Sequence, residues 1–335
     1  MTPALLGLLF AACAAPPEGM IWVEGREFTM GSTHADAPEN ERPAHHVKLD
    51  GFWIDATEVT NAQFKSFVEA TGYVTLAEKE VDWEELKKQV PPGTPKPPTE
   101  MLKAGSMVFT PPKPDARINI NDVGGWWAWT TGANWKHPEG PDSSIDDRMD
   151  HPVVHVAFED VLAYAKWAGK RLPTEAEWEL AARGGLASKK YMWGDEPANE
   201  DAPRCNIWQG SFPAKNTLKD GYLRTSPVRA FPPNGYGLYG MAGNVWEWCS
   251  DYYRADAYKK LASGGKVLVN PTGPPDSWDP NEEIPATPKH IIRGGSFLCH
   301  ITYCESYRPG ARRGLTPDTG MSHTGFRCVK DREGP

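Results

Sequence analysis

Apolar and polar positions alternate over short stretches of the chain, and this pattern predicts β-strands. Residues 20–23 and 28–31 alternate in this way and lie among glycines and charged residues. Further along, Trp246 and Trp248 flank Glu247, which is the pattern of a strand with one aromatic face. The ordinary interpretation of this last segment is a core strand in which the single carboxylate has a partner.

Three segments have the apolar period of an α-helix. The first begins with a capping box at Thr60 and ends before Gly72. The second runs from about residue 159 to residue 168. The residues that we expect at its inward face or edge are Leu162, Ala165 and Trp167. The third begins with a capping box at Thr174 and ends before Gly184.

The segment 80–115 is charged and rich in proline, and we interpret it as an excursion over the surface of one domain. Neither a repeat nor a convincing linker occurs between residues 19 and 330. Three modest helices among many short strands and turns therefore predict a single α+β domain over residues 19–330, with little regular secondary structure.

The composition excludes several other classes of protein. The 335 residues are 39% hydrophobic and 24% charged, which is ordinary for a globular chain and excludes wholesale disorder. Glycine and proline number 32 each, which argues against a long coiled coil or a regular helical bundle. The net charge of −8 lacks the basic character of a nucleic-acid-binding protein, so we expect no nucleic acid partner.

Residues 1–15 are apolar, too short to span a bilayer and followed by two prolines, as in a short secretory leader. Two processing routes remain open, namely cleavage at the small residues around Cys13 and a lipoprotein box in which Cys13 carries a lipid anchor. Either route predicts an exported protein, periplasmic or membrane-anchored. Because no Lys or Arg precedes the apolar stretch, a cytoplasmic protein with a wrongly assigned start is the other alternative. No further segment is apolar enough for a transmembrane helix.

Six cysteines occur in the chain, and the five beyond the leader cannot all pair with one another. Cys299 and Cys304 are five residues apart, and this spacing favours a local disulfide or two buried cysteines. A structural zinc site is disfavoured, because it needs a second pair of ligands. The remaining alternative is a two-thiolate site, since soft thiolates select Cu(I), which retains room for a third sulfur ligand.

Oxygen-bearing residues in the segments 206–210 and 220–222 fit either ordinary turns or a Ca²⁺ site. The nine histidines are scattered, and we interpret most of them as surface or turn residues. The motifs of nucleotide-binding proteins, serine hydrolases and zinc proteases do not stand out in the sequence.

Taken together, these segments resemble the formylglycine-generating enzymes, or sulfatase-modifying factors, from about residue 19 to residue 329. The motifs that carry the resemblance are residues 30–32, 53–61, 132–141, 169–179, 206–210, 231–239, 243–248, 294–304 and 325–328. The most specific is the C-x-x-x-x-C pair with Ser296 three residues before it. The iron-dependent sulfoxide synthases share the broader motifs but carry an additional N-terminal helical domain, which we do not expect here.

The resemblance implies a C-type-lectin-like α+β fold and a specific reaction. Enzymes of this family use O₂ and a thiol reductant to oxidise a cysteine in the C-x-P-x-R segment of an unfolded sulfatase to Cα-formylglycine, which activates the sulfatase. Cys299 and Cys304 would bind Cu(I), and Ser296 would help to place the substrate sulfur and oxygen. The expected partners are therefore unfolded sulfatase polypeptides.

The resemblance also implies calcium at two sites. The first would consist of the side chains of Asn206 and Asp220 and the carbonyls of Ile207 and Tyr222. The second would consist of the Glu247 side chain, the carbonyls of Gly243 and Val245, and a side chain at position 240. Gly240 departs from the Asn or Asp that the family usually has there, and this puts the second site in doubt.

His323 also departs from the family pattern, since an Asn is common at this position near the active site. Two other functions remain open besides the copper-dependent oxidase. One is a non-catalytic, lectin-like binding module on the same fold, which loss of the cysteine pair would favour. The other is an oxidase of the superfamily that acts on a small molecule or on another thiol substrate.

Overall fold

The computed structural model describes residues 15–113, 117–120, 122–281 and 287–332. Within these residues the strands are β1 (Met20–Val23), β2 (Glu27–Met30), β3 (His45–Lys48), β4 (Phe52–Asp55), β5 (Gly105–Phe109), β6 (Trp127–Thr131), β7 (Gly210–Ser211), β8 (Lys215–Asn216), β9 (Trp246–Tyr252), β10 (Leu268–Val269), β11 (His290–Arg293), β12 (Arg312–Leu315), β13 (Thr324–Gly325) and β14 (Val329–Asp331). The helices are α1 (Asn61–Thr71), α2 (Trp83–Leu86), α3 (Phe158–Trp167), α4 (Glu175–Arg183) and α5 (Ala257–Ser263).

Several small sheets, none of more than four strands, surround a common hydrophobic core. In the largest, with the order β12-β11-β9-β13, β9 pairs antiparallel with β11 and parallel with β13. The two ends of the chain meet in another sheet, because β4 pairs antiparallel with both β1 and β14. The architecture is α+β with little regular secondary structure, as the sequence predicts.

The capping signals correctly predict where two of the helices begin. Thr60 and Gln63 form the reciprocal hydrogen bonds of a capping box at α1. Thr174 and Glu177 form the same pair of hydrogen bonds at α4. Both helices end at a glycine in the left-handed conformation, which is the ordinary way to terminate a helix.

The buried face of α3 differs from the predicted one. Leu162 and Trp167 are each 44% exposed, whereas Val161 and Ala165 are buried. Ala165 is buried as predicted, and it shares the buried face with Val161 and Tyr164, which are spaced as i, i+3 and i+4. Beside this face, the Asp160 carboxylate accepts hydrogen bonds from Leu76 N and Ala157 N.

The segment 80–115 is not only a surface excursion. Its first part forms exposed turns around the short helix α2, as predicted, but β5 is mostly buried and pairs antiparallel with β6. The segment as a whole is rich in prolines and charged residues, and its average composition therefore does not indicate the short apolar run that forms this strand. The helix α5 is also not predicted by the apolar pattern.

Strand β9 is buried on both faces because it lies inside the largest sheet. Trp246 and Trp248 lie on one face and enter the core, whereas Glu247, Cys249 and Asp251 lie on the other, so the predicted single aromatic face is confirmed. Glu247 lies between the two tryptophans in the sequence, and its carboxylate accepts hydrogen bonds from Arg327 and from Trp178 Nε1. The segment is therefore a core strand whose single glutamate has hydrogen-bond partners, which is also the ordinary interpretation of its sequence.

Of the nine histidines, His45, His155 and His290 are buried and the other six are not, so these three are exceptions to the expectation that most lie at the surface or in turns. Their rings pack against other aromatic rings or form hydrogen bonds with neighbouring atoms. On β3, His45 is buried and His46 is exposed, as expected for neighbours in a strand.

Among the described residues, no helix is both long and apolar enough to cross a membrane. Cys13 and most of the predicted leader fall in residues 1–14, which lie outside the described residues. The leader and its lipid anchor therefore stay predictions.

Candidate active site

Two glycines lead the chain from β11 into the loop that carries the cysteine pair. Gly294 and Gly295 have φ angles of +91° and +73°, a region that favours glycine. A Cβ atom at Gly295 would lie 3.0 Å from Cys299 Sγ. The missing side chain therefore allows the backbone to pass directly beside the first thiol.

The structure brings Cys299 and Cys304 together in the interior. Their side chains converge until the sulfur atoms are 2.7 Å apart, which is longer than the S–S bond of about 2.05 Å in a disulfide. The two residues are only 1% and 7% exposed, and all five cysteines of the described residues are free thiols. Of the alternatives that the spacing leaves open, the structure thus contains two buried, unbridged thiols.

Ser296 is brought to the same place by the turn that follows the glycines. Its backbone N–H donates to Cys299 Sγ across 3.4 Å, and its Oγ accepts from Leu298 N across 3.3 Å. Ser296 is completely buried, so its contacts with the first thiol are shielded from water. The predicted trio is assembled, while the catalytic role of the serine stays a prediction.

The two thiols differ in acidity. Burial raises the pKa of Cys299 well above its usual range. The hydrogen bond from Cys299 lowers the pKa of Cys304 to about 6, and the Arg313 guanidinium and hydrogen bonds from Ser306 act in the same direction. The surroundings of the pair therefore favour the thiolate form at Cys304 over that at Cys299. The thiolate is the form that binds metals and reacts as a nucleophile.

Aromatic rings that the sequence analysis did not single out lie beside the pair. Tyr303, which directly precedes the second cysteine, is 36% exposed and stacks on Phe212 with ring centroids 4.5 Å apart. Trp126 meets the Tyr303 ring edge to face at 5.9 Å, and Trp127 meets the His323 ring at 4.8 Å. The adjacent tryptophans at 126 and 127 were the available signal, since paired aromatic residues next to a motif often mark a binding surface.

The residues that flank the second cysteine open onto a groove of about 1710 Å³. Tyr303, Ser306 and Arg313 lie along this part of the groove. Sequence reasoning missed Arg313 because β12 brings it back to the cysteine loop from several residues further along the chain. The thiols are thus buried, but their immediate neighbours reach solvent.

The residues predicted for the first calcium site lie in two adjoining loops. Asp220 Oδ2 is buried and has no hydrogen-bond partner within the described part of the chain, while its Oδ1 accepts from Tyr222 N. Asn206, which precedes Ile207, donates through Nδ2 to Arg224 O across 2.8 Å. Burial raises the pKa of Asp220. A buried carboxylate oxygen that lacks a partner fits a bound cation, and the calcium assignment stays a prediction.

The second predicted calcium site stays a prediction, although the Glu247 carboxylate there has protein partners. The Glu247 carboxylate already accepts hydrogen bonds from Arg327 at 2.7 Å through each oxygen, and from Trp178. A Cβ atom at Gly240 would lie 2.2 Å from Glu58 Oε2. The Glu58 carboxylate thus occupies the space that a side chain at position 240 would need. Burial raises the pKa of this carboxyl group to about 7.

The two predicted calcium loops touch each other. Gly243 forms an isolated parallel bridge with Asn206, and a Cβ atom at Gly243 would lie only 2.2 Å from Asn206 O. Val245 follows in the core, after Asn244, whose Nδ2 donates to Glu58 Oε1 across 2.9 Å. A cation in one loop would therefore act on the position of the other.

The described residues contain no group of three or more His, Cys, Asp and Glu side chains that could hold a metal ion together. At the cysteine pair, the protein offers two sulfur ligands without a nearby third or fourth. This donor set fits a soft ion of low coordination number such as Cu(I) and not a four-coordinate zinc ion.

Comparison with known proteins gives consistent results. The family model of the sulfatase-modifying factor enzyme 1-like domain matches residues 7–332. A formylglycine-generating enzyme of Thermomonospora curvata is 47% identical over 94% of this chain and 94% of its own length. That of Bos taurus is 42% identical over 95% of this chain and 76% of its own length.

A solved structure shares the fold at a greater distance. PvdO from Pseudomonas aeruginosa is 23% identical, covers 93% of this chain and 94% of its own, and superposes with a TM-score of 0.58. The likeness extends over almost the whole chain, and the two enzymes named above are more than two fifths identical to it over the aligned residues. The chain therefore belongs to the family of formylglycine-generating enzymes, the sulfatase-modifying factors.

Proposed function

We propose that this protein is a copper-dependent oxidase that converts the cysteine of a C-x-P-x-R segment in an unfolded sulfatase to Cα-formylglycine. The observation that carries the proposal is the buried, unbridged pair of Cys299 and Cys304, with its sulfur atoms 2.7 Å apart. Membership of a family of oxidoreductases supplies the reaction class, and the donor set of two thiols supports the choice of metal.

The protein residues would prepare the site in different ways. The surroundings favour the thiolate form at Cys304 and disfavour it at Cys299, and both thiols would release their protons for the sulfurs to hold Cu(I). The N–H group of Ser296 keeps Cys299 Sγ oriented toward its partner. When bound, Cu(I) would supply the centre at which the substrate thiolate and O₂ meet. Tyr303 and the rings around it would limit access of water and of competing thiols.

The overall reaction balances with a thiol reductant. The substrate –CH₂SH group loses two electrons as one C–H bond breaks, and hydrolysis of the C–S bond leaves the aldehyde and H₂S. Two molecules of a reducing thiol form a disulfide and supply two further electrons and two protons. O₂ accepts all four electrons and is reduced to two molecules of water. Hydrolysis of the C–S bond consumes one water, so the net products are the aldehyde, H₂S, the disulfide and one water.

We further propose that Ca²⁺ binds at the first predicted site, where the unpartnered Oδ2 of Asp220 would be a ligand. Asn206 would add its side-chain oxygen, and Ile207 and Tyr222 would add their carbonyls. The proposal does not extend to the second site, because Arg327 and Trp178 already satisfy the Glu247 carboxylate.

The proposed substrate is an unfolded chain, so the enzyme must meet its client before that client folds. If residues 1–15 direct export, a client that crosses the membrane unfolded by the same route would satisfy this requirement. The lipid anchor at Cys13 remains part of the same proposal.

The direct test uses a synthetic peptide that contains a C-x-P-x-R segment. Protein loaded with copper under reducing conditions is incubated with the peptide and O₂, and the product is analysed by mass spectrometry. We expect loss of the thiol and formation of an aldehyde, which is confirmed by its reaction with a hydrazide. A peptide with Ser in place of its Cys serves as the substrate control and should remain unchanged.

Variants of the enzyme identify the metal ligands. Cys299→Ser and Cys304→Ser should each abolish conversion, whereas Cys249→Ser, which changes another buried free cysteine in β9, should retain it. Folded, copper-loaded protein that leaves the cysteine peptide unchanged would refute the proposal and favour a binding module on the same fold. Conversion of a small thiol but not of the peptide would favour an oxidase with another substrate.

A further inference from the structure

One cation approaches the cysteine pair from the groove. Arg313 lies on β12, opposite Ile292 of β11, and its side chain is exposed to solvent in the groove. Its Nε–H donates to Ser306 Oγ across 3.4 Å, and its guanidinium lies 6.0 Å from the centre of the Trp246 ring. Ser306 in turn is buried and forms hydrogen bonds with Cys304.

The other arginines on this stretch are already paired with carboxylates. Arg308 forms two hydrogen bonds with Glu41, and Arg312 forms two with Glu175. Within residues 15–113, 117–120, 122–281 and 287–332, no carboxylate lies within ion-pair distance of Arg313. Its positive charge is therefore available to the cysteine pair.

The charge of the proposed site makes such a cation useful. Two thiolates and one Cu(I) carry one net negative charge, and a substrate thiolate would add a second. The two cysteines are buried, so water solvates this charge poorly. A nearby guanidinium would offset part of the cost without occupying a ligand position.

We propose that Arg313 is the counter-ion of the copper–thiolate site, acting on Cys304 directly and through Ser306. This inference rests on the proposed function, because it needs a metal ion at the pair. Arg313 would not coordinate the metal ion. Its positive charge would instead act electrostatically on the negative charge of the copper–thiolate site. Because its side chain is exposed to solvent, dissolved salt should screen the effect.

The test measures Cu(I) affinity by anaerobic competition with a chromophoric Cu(I) chelator at constant pH. Arg313→Gln should weaken binding by up to about fivefold, which is the upper end of the range for a partly exposed ion pair. Arg313→Lys should keep most of the affinity, because it keeps the charge. Lys259→Gln removes a charge from the same groove, on α5, and should change little. Melting temperatures show that each variant is folded.

Ionic strength separates an electrostatic role from a merely structural one. Raising the salt concentration should reduce the difference in Cu(I) affinity between the wild-type protein and Arg313→Gln. Equal affinities of these two proteins at low salt, or a difference that salt does not reduce, would overturn the role of Arg313 while leaving the copper site intact. Failure of the wild-type protein to bind Cu(I) would overturn the proposed function, and this inference with it.

Discussion

At the scale of single residues, two cysteines with the same chemistry are placed in different states by their neighbours. Cys299 contacts the buried turn at Ser296, whereas Cys304 lies near Arg313. The spacing in the sequence correctly indicates that the two thiols meet, because a five-residue turn is short enough to bring them together. It could not indicate Arg313, since that contact depends on the path of β12.

A buried histidine near the site gives a prediction at the same scale. His155 Nδ1 lies 2.8 Å from Ser106 Oγ, and Nε2 lies 2.8 Å from Pro138 O. Burial lowers the pKa of His155 from 6.5 to about 4, so the unfolded chain binds a proton that the folded protein rejects. The free energy of unfolding is therefore highest above pH 6.5 and decreases by about 3 kcal/mol as the pH falls from 6.5 to 4.

Denaturant unfolding at a series of pH values checks this prediction. His155→Asn should be less stable than the wild-type protein at pH 7, because it loses hydrogen bonds, but its stability should fall less between pH 6.5 and 4. The residue has a φ of 60°, which Asn tolerates well. Parallel stability curves for the two proteins would show that His155 is protonated in the fold.

At the scale of elements, α4 holds β11 in place and so positions the cysteine loop that follows. Arg293, the last residue of β11, donates to Glu175 and to Glu179, both on α4. The capping box and the closing glycine predict the bounds of α4 from local sequence alone. The buried charge network is not predictable in this way, because its members come from distant parts of the chain.

Replacing Arg293 should therefore destabilise the protein strongly. Arg293→Met leaves two buried carboxylates without one of their cations, and removal of one partner from a buried pair costs about 3–5 kcal/mol. Arg171→Met is a matched control, since Arg171 pairs with Glu177 and Asp331 nearer the surface and should cost at most about 1 kcal/mol. Equal losses in the free energy of unfolding of Arg293→Met and Arg171→Met, measured by denaturant unfolding, would contradict the assigned role of Arg293.

The element scale also shows where sequence patterns fail. The strand β5 is short and follows a segment of prolines and charges, so the local average conceals it. In α3, Leu162 is assigned to the inward face or its edge, whereas the apolar residues that share the buried face are Val161, Tyr164 and Ala165. β9 is buried on both faces because neighbouring strands enclose it, and strand order is not a local property.

At the scale of the whole molecule, loops rather than long elements define the fold. The family motifs predict the α+β fold because they mark these loops individually. They do not predict how Glu58 fills the space beside Gly240, since this contact joins two residues that are far apart in the sequence. With so little regular structure, ions that tie loops together should contribute noticeably to the stability of the whole protein.

Calcium should accordingly raise the melting temperature of the wild-type protein. Binding to the folded state alone adds about 2.7 kcal/mol at a calcium concentration one hundred times the dissociation constant. Asp220→Asn should abolish this gain, because it replaces the charged ligand, and should be no less stable without calcium, because burial disfavours the carboxylate. Asp201→Asn, at an exposed ion pair with Lys219, is the control and should keep the gain.

The most direct test of the account is copper K-edge X-ray absorption on the protein loaded anaerobically with one equivalent of Cu(I). We expect two sulfur ligands in the free protein, from Cys299 and Cys304, and three after addition of the C-x-P-x-R peptide. A first coordination shell of nitrogen and oxygen, or a sulfur count that the peptide does not change, would contradict a two-thiolate centre that is open to a substrate thiol.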